Sequence, residues 1–461
     1  MTAIKVILSR VQGLFVSRSN LSRSANPGNS KLLSRFLGSV VGSFGFKITS
    51  TGLALLVNLL LARILDGTEF GTYVYAIAWV NFLSIPASLG LDKFLIREVA
   101  ICQSNSEWGR MKGLLSWSNR VVALVSVGVT LVALAVVLLV LKDLPSTTVI
   151  SLAIALVSLP LMSLRTLRLA AMQGLHKVLL GLTPDKLLAP FLLITFSLVW
   201  YLWQRHQVNT PAILVFNLVS TVITYLVGIK LLQRNLPATV KMAQPEYNSQ
   251  AWIKSIPPLL FLAGLSAINS QIGVIMVGNL SGAKAAGIYS ITWQLSQLIL
   301  LILTSANSIM APMIASLYAQ NKLEELQHLV AKSVRVTTLV ALLISAGLMM
   351  FSSWLLLMFG RDFIQGQFAL IILCIGQIIN TAMGSVGFLL TMTGHERQTA
   401  IAMGLGAAFN VMLNLLLIPR WGVNGAAIAT ASGIIVWNVL MALWTKRLTG
   451  INPTIFAKFS F

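Results

Sequence analysis

The sequence is poor in charged residues. Only 10% of its 461 residues are Asp, Glu, Lys or Arg, whereas 56% are hydrophobic, and a typical soluble domain carries roughly 25% charged residues. So few charges cannot cover a surface that faces water, and inward folding cannot hide an apolar excess of this size. The composition excludes a soluble enzyme, a disordered chain and a fibrous protein, and it predicts an integral membrane protein.

Cysteine and histidine are also scarce. The two cysteines, Cys102 and Cys374, lie far apart and without metal-ligand spacing, so we expect neither a disulfide nor a catalytic thiol. The four histidines form no HxxxH or HExxH pair, which are the spacings typical of helical metal sites. We therefore expect no metal and no cofactor.

Carboxylates number only twelve, and each falls in a loop or close to the end of an apolar run. Proton- and sodium-coupled transporters usually bury a carboxylate at the coupling site, and a membrane enzyme of glycan assembly needs one near a donor phosphate. Asp92 and Asp185 are the only candidates, and we expect them to pair with Lys93 or Arg97 and with Lys186. Enzymatic activity is therefore not expected.

Long apolar runs dominate what is present. A membrane-spanning helix needs about 20 mostly apolar residues, and the runs do not alternate as the strands of a membrane barrel would. They predict an all-α polytopic protein with about twelve spans, at 39–63, 70–91, 118–141, 147–168, 182–203, 211–233, 255–280, 285–310, 333–358, 366–390, 398–418 and 423–445.

The formal net charge is +21, and its distribution sets the orientation. Most Lys and Arg residues fall on one side of the predicted spans, which is the cytoplasmic side by the positive-inside rule. The sequence therefore predicts a multi-pass protein of the cytoplasmic (inner) membrane with both termini inside, and it gives no reason for a nucleic-acid partner. Residues 1–35 lack the apolar core of a signal peptide and are expected to form a basic interfacial helix or a loose tail.

The chain repeats itself faintly. Gly71-Thr72-Tyr73 and Gly287-Ile288-Tyr289 each open a predicted span, and Val208-Asn209 precedes the sixth span as Val423-Asn424 opens the twelfth, at an offset of about 216 residues. Parallel repeats of this kind build transporters in which substrate lies between two bundles. The pattern predicts a first lobe at 36–234, a cytoplasmic linker at 235–254 and a second lobe at 255–461, around a central cavity.

Lys47 is the clearest charge inside a predicted span. Charged residues in a bilayer are costly and usually mark function. Thr51 and Asn58 follow at helical spacing on the same face, so we expect Lys47, Thr51 and Asn58 to line the cavity. Snorkelling of Lys47 to the cytoplasmic headgroups is the alternative.

Neutral polar residues form further stripes in the second half, and hydroxyl and amide groups suit a ligand rich in hydroxyls. Packing between helices is the alternative explanation for part of them. The residues predicted to line the cavity here are Asn269, Ser270, Gln294, Gln297, Gln377, Asn410 and Asn414. Cations at helix ends are predicted to form a cytoplasmic vestibule for phosphate, namely Arg97, Arg165, Arg168 and Lys186.

Several motifs resemble those of polysaccharide and O-antigen flippases, which belong to the multidrug/oligosaccharidyl-lipid/polysaccharide exporter superfamily. The resemblance covers most of the chain from about residue 36. The matching segments are Leu61-Ala62-Arg63-Ile64-Leu65, Phe70-Gly71-Thr72-Tyr73, Leu89-Gly90-Leu91-Asp92-Lys93, Arg97-Glu98, Gly287-Ile288-Tyr289-Ser290, Ala311-Pro312 and the segment from Gly422 to Thr430.

The resemblance implies two lobes of six helices and transport by alternating access. It implies as cargo an oligosaccharide on undecaprenyl diphosphate, moved from the inner to the outer leaflet for surface polysaccharide assembly, with polymerase and export machinery as partners. Many members carry an Asp where this chain has Gly273, so no coupling role transfers to that position. A cation-coupled multidrug exporter, a major-facilitator transporter and a membrane enzyme of glycan assembly stay as alternatives.

The sequence generates a test of Lys47. Lys47→Ala should abolish export, because the cation proposed to attract the diphosphate is lost, whereas Lys47→Arg should retain part of it. Export is measured as surface polysaccharide in cells that express each variant. Wild-type export by Lys47→Ala would refute the role.

Overall fold

A computed structural model describes residues 27–140, 145–203 and 208–457, and these ranges contain helices and no strand. The tail prediction for residues 1–26 lies outside the described residues. The helices of the first half are α1 Pro27–Ile64, α2 Gly67–Ser88, α3 Leu91–Ser104, α4 Trp108–Leu139, α5 Ser146–Val157, α6 Leu159–Gly174, α7 Val178–Thr183, a π-helical turn Pro184–Leu188, α8 Ala189–Trp203 and α9 Thr210–Asn235.

Two short helices follow, and then come the helices of the second half. They are α10 Ala238–Met242, α11 Ser249–Lys254, α12 Ile256–Ser281, α13 Ala283–Ala319, α14 Leu323–Met350, α15 Ser352–Phe359, a 3₁₀ turn Arg361–Gly366, α16 Gln367–Ala382, α17 Val386–Met392 and α18 Glu396–Thr449. The chain divides into one unit up to Thr49 and another from Ser50 onward. The packing below is that of the second unit.

The prediction of an all-α polytopic protein is confirmed. Eleven helices in the described part of the chain are long and apolar enough to cross a membrane. The last of them, within α18, has non-helical backbone at Gly422. It therefore contains both the eleventh and the twelfth predicted spans, and the chain has about twelve.

Two predicted spans are interrupted. The fifth contains the π-helical turn that begins at Pro184. The tenth breaks between α16 and α17, where Gly384 has a φ of +78° and a Cβ atom would lie 2.5 Å from the carbonyl oxygen of Pro453. Near this break the amide of Ile455 donates to the carbonyl of Ala382 at 3.0 Å, so the C-terminal segment satisfies a carbonyl at the end of α16.

The segment at 92–117, between the second and third predicted spans, is largely helical. In α3 the residues Leu91, Phe94, Leu95, Val99 and Cys102 are buried. These apolar residues recur at helical spacing but number too few to mark a span, so they form an amphipathic helix instead. Burial raises the pKa of the Cys102 thiol, which keeps it protonated and unreactive.

The predicted linker at 235–254 is also ordered and packs on α4. The ammonium of Lys112 donates to the carbonyls of Lys241 and Ala243, both at 2.8 Å, and the amide of Glu246 donates to the carbonyl of Gly109 at 3.0 Å. Next to α12, Trp252 is 2% exposed, with its ring centroid 5.2 Å from that of Trp117. The linker is therefore part of the packing of the first half.

The sequence repeat has a structural counterpart. The hydroxyl of Tyr73 on α2 accepts from the amide of Asn217 on α9 at 3.4 Å, and the hydroxyl of Tyr289 on α13 lies 2.7 Å from that of Thr430 on α18. The two tyrosines occupy matching positions of the repeat. In each half, therefore, this tyrosine of the second span is hydrogen-bonded to the sixth span.

Two glycines allow the halves to approach each other closely. A Cβ atom on Gly71 would lie 1.9 Å from the carbonyl oxygen of Ala283, and one on Gly287 would lie 3.0 Å from the Cα atom of Gly71. Equivalent positions of the two repeats are therefore in contact with each other. Small residues allow such close packing between membrane helices, where apolar burial alone does not drive association. We call Arg63, Phe70, Gly71, Ala283, Gly287, Met358 and Phe363 the inter-half contact.

The glycine pair predicts a graded loss of stability. Gly71→Ala should lower the melting temperature of the purified protein, because overpacking costs about 1–3 kcal/mol and the obstacle here is backbone. Gly287→Ala should have a smaller effect, since its nearest atom is farther away. Differential scanning fluorimetry in detergent measures both.

Gly128→Ala is the matched control for these variants. Nothing lies within 4 Å of a Cβ at Gly128, and alanine is favoured over glycine in helices by up to about 1 kcal/mol. Equal melting temperatures for Gly71→Ala and Gly128→Ala would contradict the proposed role of the contact.

Candidate functional site

Two of the predicted cavity residues meet between the halves. The amide nitrogen of Asn58 on α1 donates to the side-chain oxygen of Gln294 on α13 at 2.6 Å. A second bond between the halves joins the Tyr75 hydroxyl on α2 to the side-chain oxygen of Asn279 on α12 at 2.5 Å. These neutral bonds contribute little net energy each, about 0.5–1.5 kcal/mol, because water can replace either partner.

The inter-half contact adds a charged group, Arg63, that was not predicted to be part of the site. The Arg63 guanidinium donates to the carbonyls of Met358 at 2.5 Å and Leu357 at 2.9 Å, in the last turn of α15. Carbonyls at a helix C-terminus lack partners within the helix and attract cations. Phe70 packs edge-on against Phe363 with centroids 5.6 Å apart, so a polar and an apolar contact lie together.

Loops predicted to share one side of the membrane do meet at one end of the protein. The segments near Arg63, Lys284 and Met358 come together there, and Lys284 pairs with Asp362 at 2.9 Å. Basic segments predicted to be cytoplasmic likewise meet, since Lys112 contacts the loop at Lys241. The grouping of the loops therefore agrees with the predicted topology.

Amides of the second half lie in its interior. Gln377 and Asn414 are fully buried and Asn410 is 3% exposed. Asn414 donates to Asn410 at 2.6 Å, while Asn380 donates to Gln377 at 3.0 Å and accepts from Asn438 at 2.9 Å. In this conformation the three predicted residues Gln377, Asn410 and Asn414 contact other helices and do not line an open cavity, as the packing alternative predicts. Asn438 was not predicted from the sequence.

Three further predicted residues are less enclosed. Asn269 donates to the carbonyl of Leu265 at 3.0 Å, and its buried side-chain oxygen has no partner among the described residues. Ser270 is exposed and Gln297 is partly exposed. These three residues are therefore better placed to meet a ligand than the buried amides.

Thr51 is partly exposed on α1. Lys47 lies on the same helix, in the unit that ends at Thr49. The cavity role of both residues stays a prediction.

A buried ion cluster lies within the first half. The Arg168 guanidinium is 3.5 Å from the carbonyl of Gly181 and 2.6 Å from the carboxylate of Asp185, which also lies 3.7 Å from Arg165. The side chains of Arg168 and Asp185 are 3% and 5% exposed. Gly228 on α9 makes room for the guanidinium, because a Cβ there would overlap it. The pairing compensates charges that would otherwise be very costly to bury.

This cluster corrects two expectations. Asp185 was expected near a span end and beside Lys186, but its span begins at Val178, so it lies roughly 10 Å along the helix, and its ion-pair partners are the two arginines. Arg168 was expected to face a vestibule, yet it is buried and neutralised. Pairing across two helices leaves no local sequence signal.

The other vestibule candidates do reach the surface. Arg97 is 68% exposed and contacts Glu98 at 3.2 Å, not Asp92 as expected, because Glu98 is buried beside it and also pairs with Arg110 at 2.6 Å. Lys186 is exposed, and Arg165 is partly exposed. Arg97, Arg165 and Lys186 therefore stay candidates for binding an anion.

Gly273 has a steric explanation. A Cβ atom there would lie 2.5 Å from the hydroxyl oxygen of Tyr289, the tyrosine that holds α13 to α18. An aspartate at position 273 would need this ring to move. The Tyr289 side chain therefore occupies the space that the carboxylate expected from the resemblance would need.

Two sequence-family models match this chain. The sequence model of a family described as "Polysaccharide biosynthesis protein" matches residues 39–318, more than half of the chain, and that of the MatE family matches residues 258–416. The chain is 24% identical over 184 residues to a probable low-salt glycan biosynthesis flippase, Agl15, of Haloferax volcanii, covering 40% of this chain and 39% of that one. It thus spans about two fifths of the length of this relative.

Solved structures show the fold. A multidrug resistance transporter of the MATE family and the MOP superfamily, in its inward-facing conformation, has a TM-score of 0.73 at 14% identity, over 87% of this chain and 94% of that one. The lipid II flippase MurJ, in an inward closed conformation, has a TM-score of 0.67 at 16% identity, over 87% of each chain.

The ion cluster generates a stability prediction. Asp185→Asn should destabilise the protein strongly, because breaking a buried pair costs about 3–5 kcal/mol and leaves Arg168 uncompensated. The double variant Arg168→Gln/Asp185→Asn should lose less than the two single variants together. Arg97→Gln is the control, since exposed pairs contribute about 0–1 kcal/mol. Thermal melting of the wild type, the two single variants, the double variant and the control measures the coupling, and strict additivity would count against a buried pair.

Proposed function

Because the chain belongs to the family of polysaccharide biosynthesis proteins, we propose that it is a flippase for a lipid-linked oligosaccharide. It moves the glycan, carried on undecaprenyl diphosphate, from the inner to the outer leaflet of the cytoplasmic membrane. Transport proceeds by alternating access, with both termini on the cytoplasmic side.

The observation that carries the proposal is the inter-half contact. Arg63 binds the carbonyl end of α15 and Asn58 binds Gln294, and water can satisfy all of these groups when they separate. A contact made of small residues and replaceable hydrogen bonds favours two conformations that differ by a few kcal/mol. Such an interface supports opening and closing at this end.

The chemistry of the cargo divides between charged and neutral groups. The diphosphate needs cations, for which we propose Lys47, with the partly or fully exposed Arg97, Arg165 and Lys186 near the cytoplasmic entrance. The glycan needs hydroxyl and amide groups, for which Thr51, Asn58, Asn269, Ser270, Gln294 and Gln297 are available. Arg168 is excluded from this role because Asp185 already neutralises it.

A cation-coupled drug exporter is the second candidate, and one observation bears on it. Such an exporter would need a buried carboxylate, and Asp185 is one in the first half. Two arginines surround this carboxylate, so the cluster carries a net positive charge and disfavours a cationic ligand. The charge balance therefore favours an anionic cargo.

The test is deletion of the gene followed by analysis of lipid-linked intermediates. We expect complete repeat units to accumulate on the cytoplasmic leaflet and to clear when the wild-type gene is restored. Arg97→Gln with Lys186→Gln should restore export only in part, because the entrance loses two exposed cations. Gly128→Ala, in an open part of α4, should restore it fully.

Other outcomes would contradict the proposal. Truncated lipid-linked units would indicate a transferase. Unchanged intermediates together with increased sensitivity to cationic drugs would indicate a drug exporter.

A further inference from the structure

A polar cavity lies on the second half, beside the inter-half contact. Its volume is about 340 Å³, within the low end of the range of small-molecule sites, about 300–1,000 Å³. It lies where the turn between α12 and α13, the 3₁₀ turn and the kink in α18 meet. Its polar and aromatic lining includes Ser281, Lys284, Gln365, Trp421 and Asn424.

Trp421 presents an aromatic wall to this cavity. It is 56% exposed and directly precedes Gly422, whose φ of +51° turns the chain within α18. An indole offers a broad apolar face together with one N–H donor. A pyranose ring offers the complement, an apolar face of C–H groups surrounded by hydroxyls.

Asn424 contributes a side-chain amide whose hydrogen bonding differs from that of its counterpart in the repeat. In the first half, Asn209 caps α9 by accepting from the amide of Ala212 at 3.2 Å. Asn424 holds the matching position, yet its buried side-chain oxygen has no partner among the described residues. An unpaired buried amide is unfavourable. A ligand hydroxyl at the cavity wall, with a rotation of the amide, would supply the missing bond.

The charged residue of the cavity lining is paired with a carboxylate. The Lys284 ammonium lies 2.9 Å from the carboxylate of Asp362, while Ser281 and Gln365 add a neutral hydroxyl and a neutral amide. A phosphate would require excess positive charge here, whereas a neutral polyol requires donors and acceptors. The lining therefore favours a sugar ring over an anion.

We propose that this cavity binds one pyranose ring of the translocated glycan on the outer face of the protein. The inference rests on the proposed function, which supplies the glycan, and on the predicted topology, which puts the cavity on the outer side of the membrane. Ile288 lies both in the cavity wall and against Gly366 next to the inter-half contact. A ring bound here would keep the glycan at the outer end as that end opens and closes.

The test is saturation-transfer NMR on the full chain in nanodiscs, with methyl glycosides of glucose, galactose, rhamnose, N-acetylglucosamine and N-acetylgalactosamine as probes. At least one glycoside should receive saturation at its ring C–H protons. Trp421→Ala and Asn424→Ala should each weaken binding by roughly tenfold, equivalent to about 1.4 kcal/mol. Trp421→Phe should retain most of it, because an aromatic face remains.

Trp354→Ala is the matched control, since Trp354 is an exposed tryptophan of α15 in the same half and outside the cavity lining. It should bind as the wild type does. Equal binding by Trp421→Ala and Trp354→Ala would overturn the site and leave Trp421 as a membrane-interface tryptophan. Absence of transfer to every glycoside would overturn it too.

The two proposals fail separately. If lipid-linked units accumulate in the deletion strain but no glycoside binds at Trp421, only the sugar site is lost. If the intermediates are unchanged in that strain, the flippase function is lost whatever the glycosides do.

Discussion

The distance between the two halves is set by a pair of glycines. Gly71 and Gly287 occupy the same position in each repeat and meet where α2 crosses the start of α13. In a bilayer, helices gain little from hiding apolar surface from lipid, so close packing and hydrogen bonds hold them together. The bonds of Arg63 to α15 and of Asn58 to Gln294 form at the separation that these glycines permit.

Burial of charge follows a different rule within the first half. Asp185 and Arg168 are enclosed together, so neither charge faces hydrocarbon alone. The cluster neutralises one of the cations expected to bind the cargo and leaves the exposed Arg97 and Lys186 for binding it. Charge in this protein is thus divided between a structural pair inside and exposed cations elsewhere.

Much of the fold could be predicted from the sequence because apolar length marks a span almost by itself. Helices that lie outside the bilayer were missed, as α3 shows, since a few buried apolar residues among charges resemble a connector. The pairing of Asp185 with Arg168 was missed because it depends on how α6 packs against the start of the fifth span. Polar stripes correctly placed Asn58 and Gln294 on helix faces that meet between the halves. Gln377 and Asn414 are instead buried among helices, because packing partners decide how each helix is rotated about its axis.

The ordered linker limits how the halves can move. Residues 241–252 are fixed to α4 by Lys112, Gly109 and Trp117, so they travel with the first half. The chain then passes through Ser255 into α12, whose first turn contains Pro257 and Pro258. The free length of chain between the two halves is therefore at most a few residues, which opposes any wide sliding apart of the halves.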